Sequence, residues 1–92
     1  MKWQLSPECY KTLKKLDVRV RNSFWQALEV FEKDPNASTL DHKQLKRNLK
    51  AFWKIDITED DTYAAIYELI EEGNEKIAYF IHIGKKKLLY KK

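Results

Sequence analysis

Four residues near the predicted ends of β-strands have the side chains that metal-free cleavage of RNA requires. In that reaction the 2′-hydroxyl loses a proton, the phosphorane is stabilised and the leaving oxygen gains a proton. A lysine crowded by other cations acts as a base, its neighbours offset phosphate charge, and a tyrosine stacks on a base or moves a proton. The candidates are Lys54, Lys85, Lys86 and Tyr90. The alternative is a solvated turn at residues 85–87, with Tyr90 capping the core.

Metal chemistry has no support in the sequence. Two well-separated histidines and one cysteine are too few ligands for a zinc site. Cys9 has no partner for an intrachain disulfide, the N-terminus lacks the apolar run of a signal peptide, and no stretch is apolar enough to span a bilayer. We therefore expect a cytoplasmic protein with no metal, no small-molecule cofactor and no membrane partner.

Charge is segregated along the chain, although the net charge is only +4. Residues 42–54 carry five basic side chains and no acid, and residues 85–92 carry five more; residues 56–75 carry eight acids and no lysine or arginine. This pattern indicates a polyanion-binding face, with a solvated surface of paired charges as the alternative. The residues predicted to bind RNA are Lys43, Lys46, Arg47, Lys50, Lys85 and Lys87.

The chain is predicted to form one domain over residues 1–92. Helical periodicity occupies its first third. Ser6 and Pro7 have the positions of an N-cap and a first helical residue, and Asp17 caps a second helix. The expected helices span residues 7–15 and 17–33. The second has an apolar stripe made of Val20, Phe24, Ala27, Leu28 and Phe31.

Strand periodicity dominates from residue 52 onwards. Strands are predicted at residues 2–5, 52–58, 62–71, 75–83 and 87–90, and a weak helical pattern covers 41–49. Alternation places Trp53 and Ile55 on the helix-facing side and Lys54 on the open side, where Lys86 and Tyr90 are expected to converge with it. His82 shares its parity with Phe80 and is expected to be half-buried. The fold class is α+β, with order β-α-α-β-β-β and a helical hairpin on one face of a small, mainly antiparallel sheet.

Four ordered segments resemble the RelE/ParE superfamily of bacterial type II toxins. The first is the strand-to-helix start from Trp3 to Pro7, followed by residues 13–17. Residues 52–57 resemble the strand that reads aromatic and then alternately basic and apolar. Residues 63–67 are similar to a Tyr-Arg-apolar-apolar-Tyr strand, and residues 83–90 to a closing Ile-Gly-His-Arg-x-x-x-Tyr segment. Together they cover nearly the whole chain.

The resemblance implies a RelE-like fold, a cognate antitoxin partner and, in the mRNA-cleaving branch, ribosome-dependent cleavage of mRNA. It places Lys54 on a basic catalytic position, Lys86 on the phosphate-stabilising arginine, Lys85 on the variable residue before it, and Tyr90 on the terminal tyrosine. The predicted function is therefore a toxin that acts as a metal-independent endoribonuclease, an mRNA interferase that inhibits translation.

Two other functions remain open at this point. Ala64 stands where the Tyr-Arg segment has arginine, and Asp56 occupies a position that is often basic. Lys86 keeps the charge of arginine but lacks its bidentate fork. The missing arginine at Ala64 favours a ParE-like toxin that inhibits DNA gyrase without cleaving nucleic acid, whereas Lys54 and Tyr90 favour cleavage. The third alternative is a degenerate member that retains only antitoxin or RNA binding.

Overall fold

The computed structural model describes residues 1–47, 50–58 and 62–89, and for residues 46, 47, 50, 51 and 89 it describes the backbone alone. The fold is α+β, as predicted. Its elements in chain order are β1 (Lys2–Leu5), α1 (Pro7–Lys15), α2 (Val18–Lys33), a 3-10 turn (Ser38–Leu40), β2 (Lys43–Arg47), β3 (Lys50–Asp56), β4 (Tyr63–Glu72), β5 (Glu75–Lys85) and α3 (Lys86–Leu89).

The five strands form one sheet in the order β1-β5-β4-β3-β2. β1 runs parallel to β5, and the other three neighbouring pairs are antiparallel. The connection from β1 to β2, at opposite edges of the sheet, carries both long helices across one face. β1 and β2 are the two edges, and β2 is the edge next to β3.

Local signals set the starts of the two long helices, and both helix predictions are confirmed. The Ser6 hydroxyl accepts a hydrogen bond from the backbone N–H of Cys9 at 3.0 Å, and Pro7 is the first helical residue. The Asp17 carboxylate accepts from the backbone N–H of Arg19 at 2.7 Å. Both caps satisfy backbone donors that the first turn leaves unpaired. No helix in the described ranges is long and apolar enough to cross a membrane.

The hydrophobic core lies between the helices and one face of the sheet. The predicted stripe of α2 is buried there, with Phe24, Leu28 and Phe31 at most 1% exposed. Their packing partners on the sheet include Ile55 and Phe80. Phe31 lies edge-on to Tyr67 and to Phe80, with ring centroids 5.3 and 5.7 Å apart. The predicted helix-facing side of β3 is therefore correct.

Two short segments differ from the sequence prediction. Residues 43–47, expected to be helical, form the edge strand β2, because each of them has a register partner in β3. The strand expected at residues 87–90 is replaced over residues 87–89 by the helix α3, which begins at Lys86. The backbone N–H of Lys86 donates to the Thr62 carbonyl at 2.9 Å. The sheet thus gains its fifth strand from residues 43–47 rather than from residues 87–90. Residues 48, 49 and 90 lie outside the described part of the chain.

A bulge in β5 reverses the side of the sheet that its residues face. The register passes from Ile66 opposite His82 to Tyr67 opposite Phe80, which leaves Ile81 as the additional residue. Phe80 and Ile83 both reach the core, although they differ in parity. The expectation that His82 is half-buried with Phe80 is therefore wrong, and His82 is exposed.

Candidate functional site

Lys54 lies in the middle of β3, between two residues of the helix-facing stripe. Alternation along the strand directs its side chain to the opposite face. The sequence predicts that this face is open. The structure shows that it is covered at this point, because Lys54 is only 3% exposed. Its Nζ lies 2.8 Å from Asp56 Oδ1 and 2.9 Å from Asp41 Oδ2, and it donates to both. A buried ammonium group needs such partners to offset the loss of water.

Lys86 reaches the same carboxylate from the other end of the chain. It is the first residue of α3, directly after β5, and its Nζ lies 2.8 Å from Asp56 Oδ1. A single carboxylate oxygen is therefore contacted by the ammonium groups of both Lys54 and Lys86. The side chains of Lys86 and Asp56 are 16% and 12% exposed, so the cluster is sheltered but open to solvent at one side.

Asp41 closes the cluster from the chain segment that precedes β2. Its backbone is left-handed, with φ of 43° and ψ of 52°, and it ends the 3-10 turn. Its Oδ2 also lies 3.5 Å from Lys43 Nζ. The hydrogen bond from Lys54 is the largest cause that lowers the pKa of Asp41, and the charges of Lys54 and Lys43 act in the same direction. Asp41 is therefore a carboxylate throughout the neutral range.

The other basic residues predicted to bind RNA surround this cluster in part. Lys43 is exposed and lies opposite Lys54 in the register of β2 and β3. Lys85 and Lys87 are exposed on either side of Lys86 in the sequence. Lys46, Arg47 and Lys50 have backbone positions in β2 and β3. Tyr90, the third predicted catalytic residue, lies outside the described residues.

His42 takes part in a network that the sequence did not reveal. Its Nδ1 lies 3.2 Å from Asn36 Oδ1, and its Nε2 lies 2.5 Å from the Tyr67 hydroxyl. Its ring stacks on Trp53, with centroids 4.8 Å apart and planes inclined by 14°. Burial is the main cause that lowers the pKa of His42, and the charge of Lys54 adds to it. Burial also raises the pKa of the Tyr67 hydroxyl.

These contacts define the tautomer of neutral His42. Nδ1 donates to the Asn36 amide oxygen, so Nε2 accepts from the Tyr67 hydroxyl. The sequence alone predicts a surface loop histidine here, in a basic segment where it could also contact phosphate. Asn36 lies six residues before it, in the loop after α2, but Tyr67 comes from β4, 25 residues further along the chain, and no local pattern marks that contact.

The cluster as a whole is suited to holding an anionic oxygen. Lys43, Lys54 and Lys86 oppose the carboxylates of Asp41 and Asp56, which leaves an excess of positive charge. The Asp56 oxygen shows the geometry in which two ammonium groups contact one anionic oxygen, each at 2.8 Å. A phosphate oxygen has the same charge and hydrogen-bonding capacity as a carboxylate oxygen. The departure noticed in the sequence at Asp56 thus lies at the centre of the site.

The fold that carries this cluster is the one found in RelE- and ParE-type toxins. The YoeB/ParE toxin from Agrobacterium tumefaciens matches with a TM-score of 0.70 and 17% identity, over 92% of this chain and 98% of that one. The archaeal RelE–RelB complex from Pyrococcus horikoshii matches with a TM-score of 0.70 and 14% identity, over 92% of this chain and 93% of that one. The RelBE toxin–antitoxin complex of Escherichia coli matches with a TM-score of 0.64 and 20% identity, over 91% of this chain and 94% of that one.

At these identities the likeness shows a shared fold, and at that level the resemblance drawn from the sequence is confirmed. No protein-family model matches the sequence, and no curated protein matches it.

Proposed function

We propose that this chain is the toxin of a type II toxin–antitoxin pair and that it acts as a ribosome-dependent mRNA interferase. The observation that carries this proposal is the meeting of Lys54 and Lys86 on one anionic oxygen, each at 2.8 Å, within a RelE-like fold. Buried ion pairs contribute little to stability compared with apolar residues of similar volume. A buried lysine cluster on the sheet face away from the helices therefore has a better explanation in ligand binding than in folding.

In the proposed reaction the scissile phosphate replaces the Asp56 carboxylate between the two lysines. The 2′-hydroxyl loses its proton to solvent as its oxygen attacks the adjacent phosphorus, and the bond from phosphorus to the 5′-oxygen breaks. The 5′-oxygen takes up a proton from solvent, and the products are a 2′,3′-cyclic phosphate and a 5′-hydroxyl. The contacts of Lys54 with two carboxylates stabilise its ammonium form, so we assign it, with Lys86, to stabilising the phosphorane charge. Tyr90 is proposed to stack on a base or to assist proton transfer.

The proposed partners are the ribosome with its mRNA and a cognate antitoxin, in the cytoplasm. The exposed Lys43, Lys85 and Lys87 lie in or beside the elements that carry the cluster, where they would contact flanking phosphates. We propose the same role for Lys46, Arg47 and Lys50. The antitoxin proposal is supported by structural similarity to the toxin chains of the archaeal RelE–RelB and Escherichia coli RelBE complexes.

A second candidate function is gyrase inhibition without cleavage, as in ParE-type toxins. Two observations favour it. Asp56 occupies the anion position between the lysines, and Ala64, which is fully buried opposite Asp56 in the register of β3 and β4, supplies no cation there. In this function the cluster would be a structural or protein-binding element rather than a phosphate site.

Codon-resolved cleavage of mRNA by purified protein and ribosomes, mapped by primer extension, tests the proposal. Lys86→Ala should lower the cleavage rate about 10²–10³-fold, the usual effect of removing one charge-stabilising group. Lys54→Ala and Tyr90→Phe should also lower it, with circular dichroism to verify that each variant is folded. Lys76→Ala, an exposed lysine of β5 outside the cluster, is the matched control and should cleave like the wild type.

The outcomes separate the two functions. Wild-type rates in Lys54→Ala, Lys86→Ala and Tyr90→Phe would remove the proposed site. Intact mRNA with the wild-type protein, together with inhibition of gyrase supercoiling, would instead establish the ParE-like function.

A further inference from the structure

A groove runs between α2, the 3-10 turn and the end of β3, on the helix-facing side of the sheet. Asp56 lies beyond the last β3 residue that is paired with β2, at the sheet edge between this groove and the lysine cluster. Asp56 lines this groove as well as contacting Lys54 and Lys86. The groove has a volume of about 230 Å³. Pockets for drug-sized ligands have volumes of roughly 300–1,000 Å³, so this one has the size for a single heterocyclic ring system. It adjoins a wider cleft of about 560 Å³ towards the start of α2.

The groove combines an apolar base with a polar rim. Its apolar part is formed by Ala27, Leu40 and Ile57, which are buried, and by Val30, which is 37% exposed. Its polar side chains come from three different elements or their ends. They are Ser23 and Gln26 of α2, Thr39 of the 3-10 turn, and Thr58 just after β3.

Proteins recognise the unstacked bases of single-stranded RNA by contact with the face of the base and by hydrogen bonds to its edges. This groove offers aliphatic contact for the face and polar side chains for the edge. The Thr58 hydroxyl already accepts hydrogen bonds from the backbone N–H groups of Thr62 and Tyr63, at 3.3 and 3.2 Å. Its remaining capacity is to donate, and Gln26 both donates and accepts. The rim therefore has the groups needed to read the edge of a base.

Asp56 connects the groove to the phosphate site through its charge. A phosphate that takes the ammonium groups of Lys54 and Lys86 displaces the Asp56 carboxylate from them. A sheltered carboxylate that has lost two ammonium partners requires other hydrogen-bond donors, because leaving it unpaired is costly. Cytosine, adenine and guanine carry an exocyclic amino group with two N–H donors on the edge of the base. Uracil offers there a single ring N–H between two carbonyl oxygens, and those oxygens repel a carboxylate.

We propose that this groove is a nucleobase subsite in which Asp56 selects a base with an exocyclic amino group over uracil. The proposal rests on the proposed function, because the occupant is a nucleotide of the RNA whose phosphate binds at Lys54 and Lys86. It gives the acidic residue at the centre of a phosphate site a role in specificity. A good hydrogen-bonded pairing with a base contributes about 1–3 kcal/mol of discrimination, which corresponds to on the order of tenfold or more in affinity.

The test uses binding, so that it does not depend on catalysis. The folded protein is titrated with the 3′-monophosphates of cytidine, adenosine, guanosine and uridine at millimolar concentrations, and amide shifts are followed by NMR. The side-chain amide of Gln26 and the backbone amides of Ser23 and Thr39 should shift with the three amino-bearing nucleotides. Uridine 3′-monophosphate should bind on the order of tenfold more weakly.

Matched variants on α2 identify the groove as the source of the selectivity. Gln26→Ala should weaken binding of the amino-bearing nucleotides several-fold and reduce their advantage over the uridine nucleotide. Asn22→Ala removes an exposed amide four residues earlier on the same helix, outside the groove, and should change neither property.

Three results would overturn the proposal: equal affinity for all four nucleotides, no shift of the groove amides at any of these concentrations, or selectivity that Gln26→Ala leaves intact. Failure of the proposed function gives a different result, because selective binding in the groove together with intact mRNA would contradict cleavage and leave the subsite standing. Cleavage of mRNA without base selectivity would do the reverse.

Discussion

The two faces of the sheet are both buried at the middle of β3, but by different means. On the helix-facing side Ile55 is completely buried among the aromatic rings and aliphatic side chains of the core. One residue earlier, on the other side, Lys54 is 3% exposed and is held by two carboxylates. Apolar burial stabilises roughly in proportion to area and tolerates varied partners. A buried ion depends on particular partners at particular distances and contributes little net stability.

Under the proposed function, the helix-facing side of the sheet serves folding and the opposite side serves a ligand. The core would be well served by any apolar residues of the right size. Lys54, Asp56 and Lys86 satisfy one another without a clear stability advantage, and a replacement by apolar residues would be close to neutral for folding. Substitutions on each face of the sheet test this difference.

The largest expected effect is in the apolar core. Leu28→Ala removes a side chain that is 1% exposed, and it should lower the free energy of unfolding by about 2–5 kcal/mol through lost burial and a residual cavity. Chemical denaturation measures this. Glu29→Ala, an exposed neighbour on α2, should change stability by less than about 0.5 kcal/mol. A comparably small loss in Leu28→Ala would show that α2 packs with a different face.

The ion cluster should respond less to a single substitution and recover when its counter-charge is also removed. Lys54→Ala leaves Asp56 and Asp41 without their shared donor and should cost about 1–3 kcal/mol. The double variant with Lys54→Ala and Asp56→Asn should regain most of that loss, because the neutral side chain at position 56 needs no counter-charge and its amide oxygen still accepts from Lys86. A double-mutant cycle by urea denaturation checks this. Additive losses would mean that the two side chains are not coupled.

RNA binding should depend on the charges of Lys85 and Lys87, on either side of Lys86, more than on lysines elsewhere on the surface. For single strands each phosphate contact contributes roughly 0.7 to the slope of log affinity against log salt concentration. Lys85→Glu combined with Lys87→Glu should therefore flatten the slope measured by fluorescence anisotropy. Lys33→Glu combined with Lys76→Glu makes the same change of net charge at exposed positions outside the cluster and should flatten it less. Equal flattening would indicate a non-specific charge effect.

The smallest effect is a pH dependence of stability that arises from His42. Its pKa in the folded state is lowered by burial and by Lys54, so below pH about 6.5, the ordinary value for histidine, the unfolded chain binds more protons than the folded one. The contribution of His42 to the free energy of unfolding should thus be fully present above that pH. It should be lost as the pH falls towards the lowered pKa of His42 in the folded state.

Urea denaturation at pH 7.5 and 5.0 measures this change. His42→Gln should remove most of it, whereas His82→Gln, at an exposed histidine, should retain it. The same decline in His42→Gln as in the wild type would assign the pH dependence to other groups. The carboxylate of Asp41 adds a loss with the same sign only at lower pH, because its lowered pKa lies below 3.8.

Local sequence signals determined the elements that are long or well capped. The N-caps at Ser6 and Asp17 and the apolar stripe of α2 predict both helices within one residue of their observed starts. Strand periodicity likewise predicts β4 and β5, which span ten and eleven residues, although the bulge changes the parity within β5. Such signals are reliable because each residue in a long element reports the same period.

Tertiary structure decided the short segments and every contact of the candidate site. Five residues at 43–47 become a strand because β3 offers an unpaired edge, and residues 86–89 become a helix at the end of β5. The alternation of Lys54 and Asp56 placed both on one side of β3, as the sequence indicated. Asp41 and Lys86 reach the cluster from other segments of the chain, and His42 contacts Tyr67 in the same way. Their positions follow from strand register and loop geometry, which no local period encodes.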